Sequence, residues 1–402
     1  MANVSLSNTF LTRAAGVIAL VLIAAFAYNV VRPPSSSAEA SAEAILQHCN
    51  TAASDHSPCY EAEVAQLYPT FSVPQIFDVI REIRAEDPSY QFCHVLAHKV
   101  GERVVAEDPD RWVDAIPLNP PSGYCSNGFI HGVVGGRFRA EVLSDETLKT
   151  FMHDFKRACE PRDDWHPSDL DKAICYHGMG HLYDFITNAD LDRALGLCAE
   201  TVPNEFRRVC VEGVFMQIFQ PLEPDDFALI EQMKVKPTKD TVRQFCASYK
   251  DAEYVGACLR ESWPMYQGML DGTGAVEYCA GQPNAEHEDR CYQTVFSIIG
   301  RQMLAKPDVQ LHACTIMPEE RRQMCYSVIA DTILEEDRGN ASGALAFCDR
   351  AGGNYVDSCI SYLIRAARFN FGSSQDQYSN FCAALPAARR SECGEALPRA
   401  GI

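Results

Sequence analysis

Eighteen cysteines fall into nine neighbouring pairs along the chain: Cys49/Cys59, Cys93/Cys125, Cys159/Cys175, Cys198/Cys210, Cys246/Cys258, Cys279/Cys291, Cys314/Cys325, Cys348/Cys359 and Cys382/Cys393. From Cys198 onward the partners stand eleven or twelve residues apart, and from Cys279 the pairs recur every 34 or 35 residues. A fixed period of that length is the signature of stacked helical hairpins, in which each unit buries its apolar face only against its neighbours. The even count and the regular short intervals predict nine sequential disulfides, each fixing the crossing of two helices. Such a framework requires an oxidising compartment.

The approach to the second cysteine repeats as well. Pro203, Pro318 and Pro386 stand seven residues before Cys210, Cys325 and Cys393, while Pro167 and Pro283 stand eight before Cys175 and Cys291. Proline is tolerated in the first helical turn and not later, so each marks a helix start with the cysteine two turns in. Arg207-Arg208, Arg321-Arg322 and Arg389-Arg390 recur inside these approaches. The first cysteine closes a shorter apolar segment, as in Ala344-Leu-Ala-Phe-Cys348. The expected fold is all-α: stacked helical-hairpin repeats of TPR- or Sel1-like solenoid architecture, stapled by sequential disulfides. The design resembles the cysteine-stapled repeats of the Sel1-like class, although the spacing is not that of the class.

Residues 14–31 form an apolar run between Arg13 and Arg32-Pro33-Pro34. Eighteen residues, interrupted by Asn29, suffice for a short membrane-spanning helix and exceed the usual hydrophobic region of an export signal. The expected organisation is a short tail (1–13), a transmembrane helix or signal anchor (14–31), a Pro/Ser/Ala/Glu-rich linker (32–44), N-terminal helical repeats (45–240) and C-terminal repeats (241–402), the last two continuous. The C-terminal part would then be extracytoplasmic, periplasmic or extracellular, with secretion after cleavage near Ala38-Glu-Ala40 as the alternative. The membrane is the partner this segment implies, and the C-terminal repeats offer a surface for a protein partner. With 35 basic against 54 acidic residues and a net charge of -19, the chain repels phosphate backbones, which excludes nucleic acid.

Five of the eleven histidines are tied to three cysteine landmarks. Cys175-Tyr-His-Gly-Met-Gly-His181 follows the helix-start signals Pro167, Ser168 and Asp171, and places His177 and His181 one turn apart on one face. Cys93-His94-Val-Leu-Ala-His98 gives a second such pair, and His131 stands six residues after Cys125, as His181 stands to Cys175. Two pairs of neutral imidazoles on rigid neighbouring helices can supply four nitrogens before His131 is counted, a donor set suited to Cu or Fe foremost and also to Zn. The metal ligands expected are therefore His94, His98, His131, His177 and His181. Glu212, two residues past Cys210, is a carboxylate able to bind or to orient a ring, and Glu102 and Asp184 are further candidates of that kind. No His-Glu-x-x-His zincin motif and no haem-attachment motif is present.

These residues predict a membrane-tethered extracytoplasmic metal-binding protein, an oxidoreductase using a histidine-ligated transition metal, with its catalytic residues unassigned. A zinc-dependent hydrolase and a disulfide-stapled scaffold for protein interaction are the alternatives. A histidine layer without metal, holding helices together or binding a small molecule, is the plainest reading of the same residues.

Overall fold

The computed structural model describes residues 37–394, apart from 51–55, 88–89, 91–92, 139–140, 164, 270–271, 305 and 373–374. Every named element is a helix. The N-terminal half contains α1 (Ser37–Cys49), α2 (Ser57–Ala65), α3 (Val73–Glu86), α4 (His94–Glu107), α5 (Gly128–Phe138), α6 (Asp145–Arg157), α7 (Asp169–Ile186), α8 (Leu191–Thr201) and α9 (Arg207–Phe219). There follow α10 (Pro224–Glu231), α11 (Val242–Cys246), α12 (Ala252–Glu261), α13 (Gly272–Cys279), α14 (Ala285–Gln302) and α15 (Pro307–Thr315). The last repeats hold α16 (Glu319–Glu336), α17 (Ala341–Ala351), α18 (Tyr355–Phe371), α19 (Gln375–Ala384) and α20 (Arg390–Gly394).

Local chemistry sets the helix starts. Ser168 caps α7 through a reciprocal box: its hydroxyl accepts from the Asp171 amide at 3.0 Å, and the Asp171 carboxylate accepts from the Ser168 amide at 2.9 Å. Pro318 is the N-cap of α16, and Asp190 caps α8. The run Ser-Ala-Glu-Ala-Ser-Ala-Glu-Ala-Ile-Leu, expected to lie partly in a linker, is instead helical from Ser37. Alanine and glutamate are strong helix formers, and Ala42 and Ile45 are buried, so the tether reading of 32–44 is corrected over 37–44. The apolar segment 14–31 lies outside the described residues, among which no helix is long and apolar enough to cross a membrane.

From Cys198 to Cys359 each disulfide joins a shorter helix to the longer helix after it. Cys93 and Cys125 lie just outside helices, and the first and last bonds join a longer helix to a shorter one. The structure links Cys49–Cys59, Cys93–Cys125, Cys159–Cys175, Cys198–Cys210, Cys246–Cys258, Cys279–Cys291, Cys314–Cys325, Cys348–Cys359 and Cys382–Cys393, and leaves no free thiol. Seventeen-residue and longer helices alternate with these staples in the last repeats, where Cys325, Cys348 and Cys359 are all fully buried. Nine disulfides are the mark of an oxidising, extracytoplasmic or secreted setting.

The stack is not an open solenoid. Helices α7, α9, α12, α14, α16 and α18 each pack on the next, and α18 returns to pack on α7. The pair α4/α5 branches from this circuit at α7. Arg338, in the turn after α16, fastens the closure: its guanidinium donates to the Asn370 carbonyl at 2.9 Å, to the Ser168 hydroxyl at 3.2 Å and to both oxygens of Asp171. Its amide donates to the Ser122 carbonyl at 2.8 Å. The apolar core falls into two clusters along the chain, one from Ala38 to Cys258 and one from Trp263 to Cys393.

Candidate metal centre

Glycines bring the histidine-bearing helices to backbone contact. A Cβ built on Gly128 would lie 2.3 Å from the His94 carbonyl oxygen, and one on Gly132 would lie 2.1 Å from that of His98. The same arrangement recurs between α7 and α9, where a Cβ on Gly213 would meet the His177 carbonyl oxygen at 2.1 Å. Only a residue without a side chain permits such approach, and its cost in helix propensity explains why the sequence places glycine there for packing and not for helix formation.

The five rings form one continuous cluster. The Nε2 atoms of His94 and His98 face each other at 3.0 Å. One ring nitrogen from each of His94, His98 and His131 lies within 4.8 Å of the others. His131 sits between the two pairs, its ring centroid 5.2 Å and 5.5 Å from those of His94 and His98, and 5.7 Å and 5.5 Å from those of His177 and His181. His94 is buried, while the other four are half-buried.

In four of the rings, those of His94, His131, His177 and His181, an oxygen acceptor sets which nitrogen carries the hydrogen of the neutral form. His94 Nδ1 faces the Cys125 carbonyl at 3.2 Å, and His177 Nδ1 faces the Val209 carbonyl at 3.1 Å. A carbonyl only accepts, so in each neutral ring Nδ1 carries the hydrogen and Nε2 the lone pair. His181 Nδ1 faces the Gln217 side-chain oxygen at 2.7 Å; the Gln217 amide nitrogen donates to Asp226 at 2.8 Å, which sets the amide the right way round. His131 is turned over, with Nε2 donating to the Ile174 carbonyl at 3.2 Å, so its bare nitrogen is Nδ1. His98 Nδ1 stands 3.7 Å from the Glu223 carboxylate. Outer oxygens that hold one ring nitrogen and aim the other are the usual surroundings of metal-binding histidines.

Burial depresses the pKa of His94 and His131 well below the ordinary histidine value, and neighbouring histidines add to it; burial also lowers that of His177. These three rings are therefore neutral at physiological pH and ready to bind a cation without first losing a proton. A strained backbone supports the arrangement. Cys125, Ser126 and Asn127 all adopt left-handed φ values of 63°, 52° and 55°, a run that costs about 1 kcal/mol or more per residue in L-amino acids. The turn is clamped by the Cys93–Cys125 disulfide, by Asn119 donating to the Asn127 side chain at 2.7 Å, and by the Ser126–Glu336 hydrogen bond. It delivers the Cys125 carbonyl to His94.

The acidic candidates play other parts. Glu212 is gripped by Arg208 at 2.9 Å and Arg260 at 2.6 Å, whose charges hold its pKa down at about 2 against the effect of burial. It acts on His177 through its charge, partly offsetting the desolvation of that ring. Glu102 pairs with Lys99 at 3.1 Å, and Lys99 also reaches Glu223 at 3.0 Å. Asp184 is fully buried, and burial raises its pKa well above the carboxylate range. It makes no hydrogen bond to the rings through its side chain.

Four residues at the centre carry no earlier assignment: Met216, Gln217, Glu223 and Arg301. Met216 Sδ stands 3.1 Å from His177 Nε2, and it occupies the same register after Cys210 that His181 holds after Cys175. That register was the available signal. Gln217 and Glu223 lie outside it, on and beyond the end of α9, and nothing in the spacing points to them. Arg301 on α14 pairs with Glu335 at 3.2 Å, and its charge also reaches His94 and His177.

Fold and centre together define a disulfide-stapled, all-helical protein of extracytoplasmic type whose buried histidines can hold a metal ion. No family model, curated protein or solved structure matches the chain.

Proposed function

We propose that the protein is an extracytoplasmic metalloenzyme, tethered to the membrane by residues 14–31, whose transition-metal centre rests on His94, His98 and His131 beside His177 and His181. The observation that carries this reading is convergence: one ring nitrogen from each of His94, His98 and His131 lies within 4.8 Å of the others, while backbone carbonyls hold His94 Nδ1 and His131 Nε2. In the metal-free protein one of the facing Nε2 atoms of His94 and His98 donates to the other; a cation would take both lone pairs.

The donor set is neutral and nitrogen-rich, with the nearby carboxylates taken up by arginine and lysine. Such a set suits Cu or Fe and leaves positions open for a small co-substrate, which favours oxidoreductase chemistry; bound, the metal supplies electron transfer to or from that molecule. The protein's own residues hold the rings in place, fix their tautomers and keep them unprotonated.

The full-length chain, purified without a histidine tag, is expected to contain a transition metal near one equivalent or above by elemental analysis. A His98→Gln, His131→Gln double variant with unchanged far-ultraviolet circular dichroism is expected to lose most of it. Absence of metal from the native protein and from protein incubated with Cu, Fe or Zn salts would refute the metal centre and leave the scaffold reading. Zn alone, with no redox-active ion retained, would turn the assignment to hydrolysis.

A further inference from the structure

We propose that the cavity where α3 meets α15, α16 and α17 is a binding site for a small monocarboxylic acid with an apolar body. The site stands apart from the histidine centre, and the proposal is independent of the metal reading.

The cavity has a volume of about 560 Å³, within the range that holds small organic molecules. One side comes from α3 and Tyr124 in the N-terminal half, the other from residues 304–350 of the last repeats, so closure of the ring assembles it. Leu304, Pro307, Ile333, Ala346 and Phe347 give it an apolar wall.

The charged wall is built on Arg81 and Arg84. Both guanidiniums stand over the Tyr124 ring, 4.4 Å and 5.0 Å from its centroid. Two cations drawn to one ring repel each other, and the carboxylates that pair with them compensate weakly: Arg81 meets exposed Asp78 at 3.4 Å, and Arg84 meets Glu336 at 3.8 Å. Glu336 also accepts from the Ser126 hydroxyl, and burial raises its pKa. A carboxylate entering the cavity would offer the planar guanidiniums the paired acceptor oxygens that suit them.

The rest of the lining narrows the ligand. With Arg350 included, three guanidiniums face two carboxylates, Glu336 and Asp337, which leaves one positive charge in excess within a chain whose net charge is -19. A singly charged head matches that excess, whereas a doubly charged phosphate would be repelled by the two carboxylates. Gln310 lines the same cavity and is 1% exposed. Its Nε2 donates to the Gly300 carbonyl at 2.8 Å, while its side-chain oxygen has no hydrogen-bond partner among the described residues. A buried acceptor left unpaired is costly, and a hydroxyl on the ligand would supply the missing donor.

The test titrates the full-length protein by calorimetry with 4-hydroxyphenylacetate, which combines a carboxylate, an aromatic body and a hydroxyl. Its neutral amide and inorganic phosphate are titrated in parallel. The acid is expected to bind with a Kd of about 1 mM or below, and the amide roughly tenfold more weakly or worse. Arg81→Gln can still hydrogen-bond to Ser122 but loses the charge, and Ala346→Trp fills the cavity from an exposed helix position. Each is expected to weaken the acid by about tenfold or more, Arg81→Gln without effect on the amide. No binding of the acid at about 10 mM, equal affinities for acid and amide, or wild-type affinity in either variant would overturn the site. Phosphate binding more tightly than the acid would overturn the class of ligand. Because the comparison of acid with amide needs only the wild type, the proposal stays testable even if a variant does not fold.

Discussion

At the scale of single residues, the centre's main debt is to desolvation. His94, His131 and His177 have folded pKa values below their unfolded ones, so below about pH 6.5 the unfolded chain binds more protons than the folded one. Stability contributed by these rings is therefore present at neutral pH and lost as pH falls through the unfolded value. Urea unfolding of the metal-free protein at pH 7.5, 6.5 and 5.5 is expected to show a decline toward acid that is shallower in His94→Gln; a steeper decline in the variant, or the same slope, would contradict the assignment. The titration of Glu261, whose pKa burial raises to about 8, runs the other way, because it holds a proton in the fold that the unfolded chain has released. What the sequence made legible at this scale was the pairing of His94 with His98 and of His177 with His181, since one-turn spacing on a helix leaves little freedom. The oxygens that set their tautomers were not legible: Cys125, Val209 and Ile174 act through backbone carbonyls, which carry no side-chain signal.

Between helices, glycine position decides distance. A Cβ on Gly180 would fall 2.1 Å from the Cys210 carbonyl oxygen and 2.8 Å from the Val214 amide nitrogen, both backbone atoms that cannot step aside. Gly196 on α8 has nothing within 4 Å of the same construction. Gly180→Ala is expected to cost about 1–3 kcal/mol by overpacking, more than its gain in helix propensity. Gly196→Ala is expected to stabilise by up to about 1 kcal/mol through helix propensity. Thermal unfolding of the two variants checks the pair, and equal shifts would show that α7 and α9 are not held at backbone contact. The cysteine period and the prolines made the hairpins visible in advance, because both are local constraints. Helix α1 was partly missed because Ser, Ala and Glu read equally well as a tether until Ala42 and Ile45 find something to bury against.

For the whole molecule, closure matters more than repetition. A linear array has two ends that fray, whereas here α18 packs back on α7 and Arg338 ties the turn after α16 to Asp171, Ser168 and Asn370. Nothing in a 34-residue period announces that the last repeat will meet an earlier one, since curvature accumulates from small rotations that no single residue encodes. Arg338 is 4% exposed, and removing it leaves the half-buried Asp171 carboxylate with its Ser168 hydrogen bonds but without its counter-charge. Arg338→Ala is therefore expected to cost about 3 kcal/mol. Hydrogen exchange should rise around Ser168 to Lys172 and at Asn370, and stay unchanged across α9 and α12. Unaltered exchange at those seam amides would show that the closure does not depend on this arginine.

The disulfide connectivity has a consequence for how such a chain is made. Each bond joins a cysteine to the very next one along the sequence, so no bond encloses or crosses another. A chain threading through a membrane from its N-terminal side presents its cysteines in that same order. An oxidant that simply links each arriving thiol to the one still waiting would write the native pattern at the first attempt, with no rearrangement by an isomerase. The order of emergence does the work of a proofreader, and the ring can be closed last, by contacts that break and re-form without any covalent bond being disturbed.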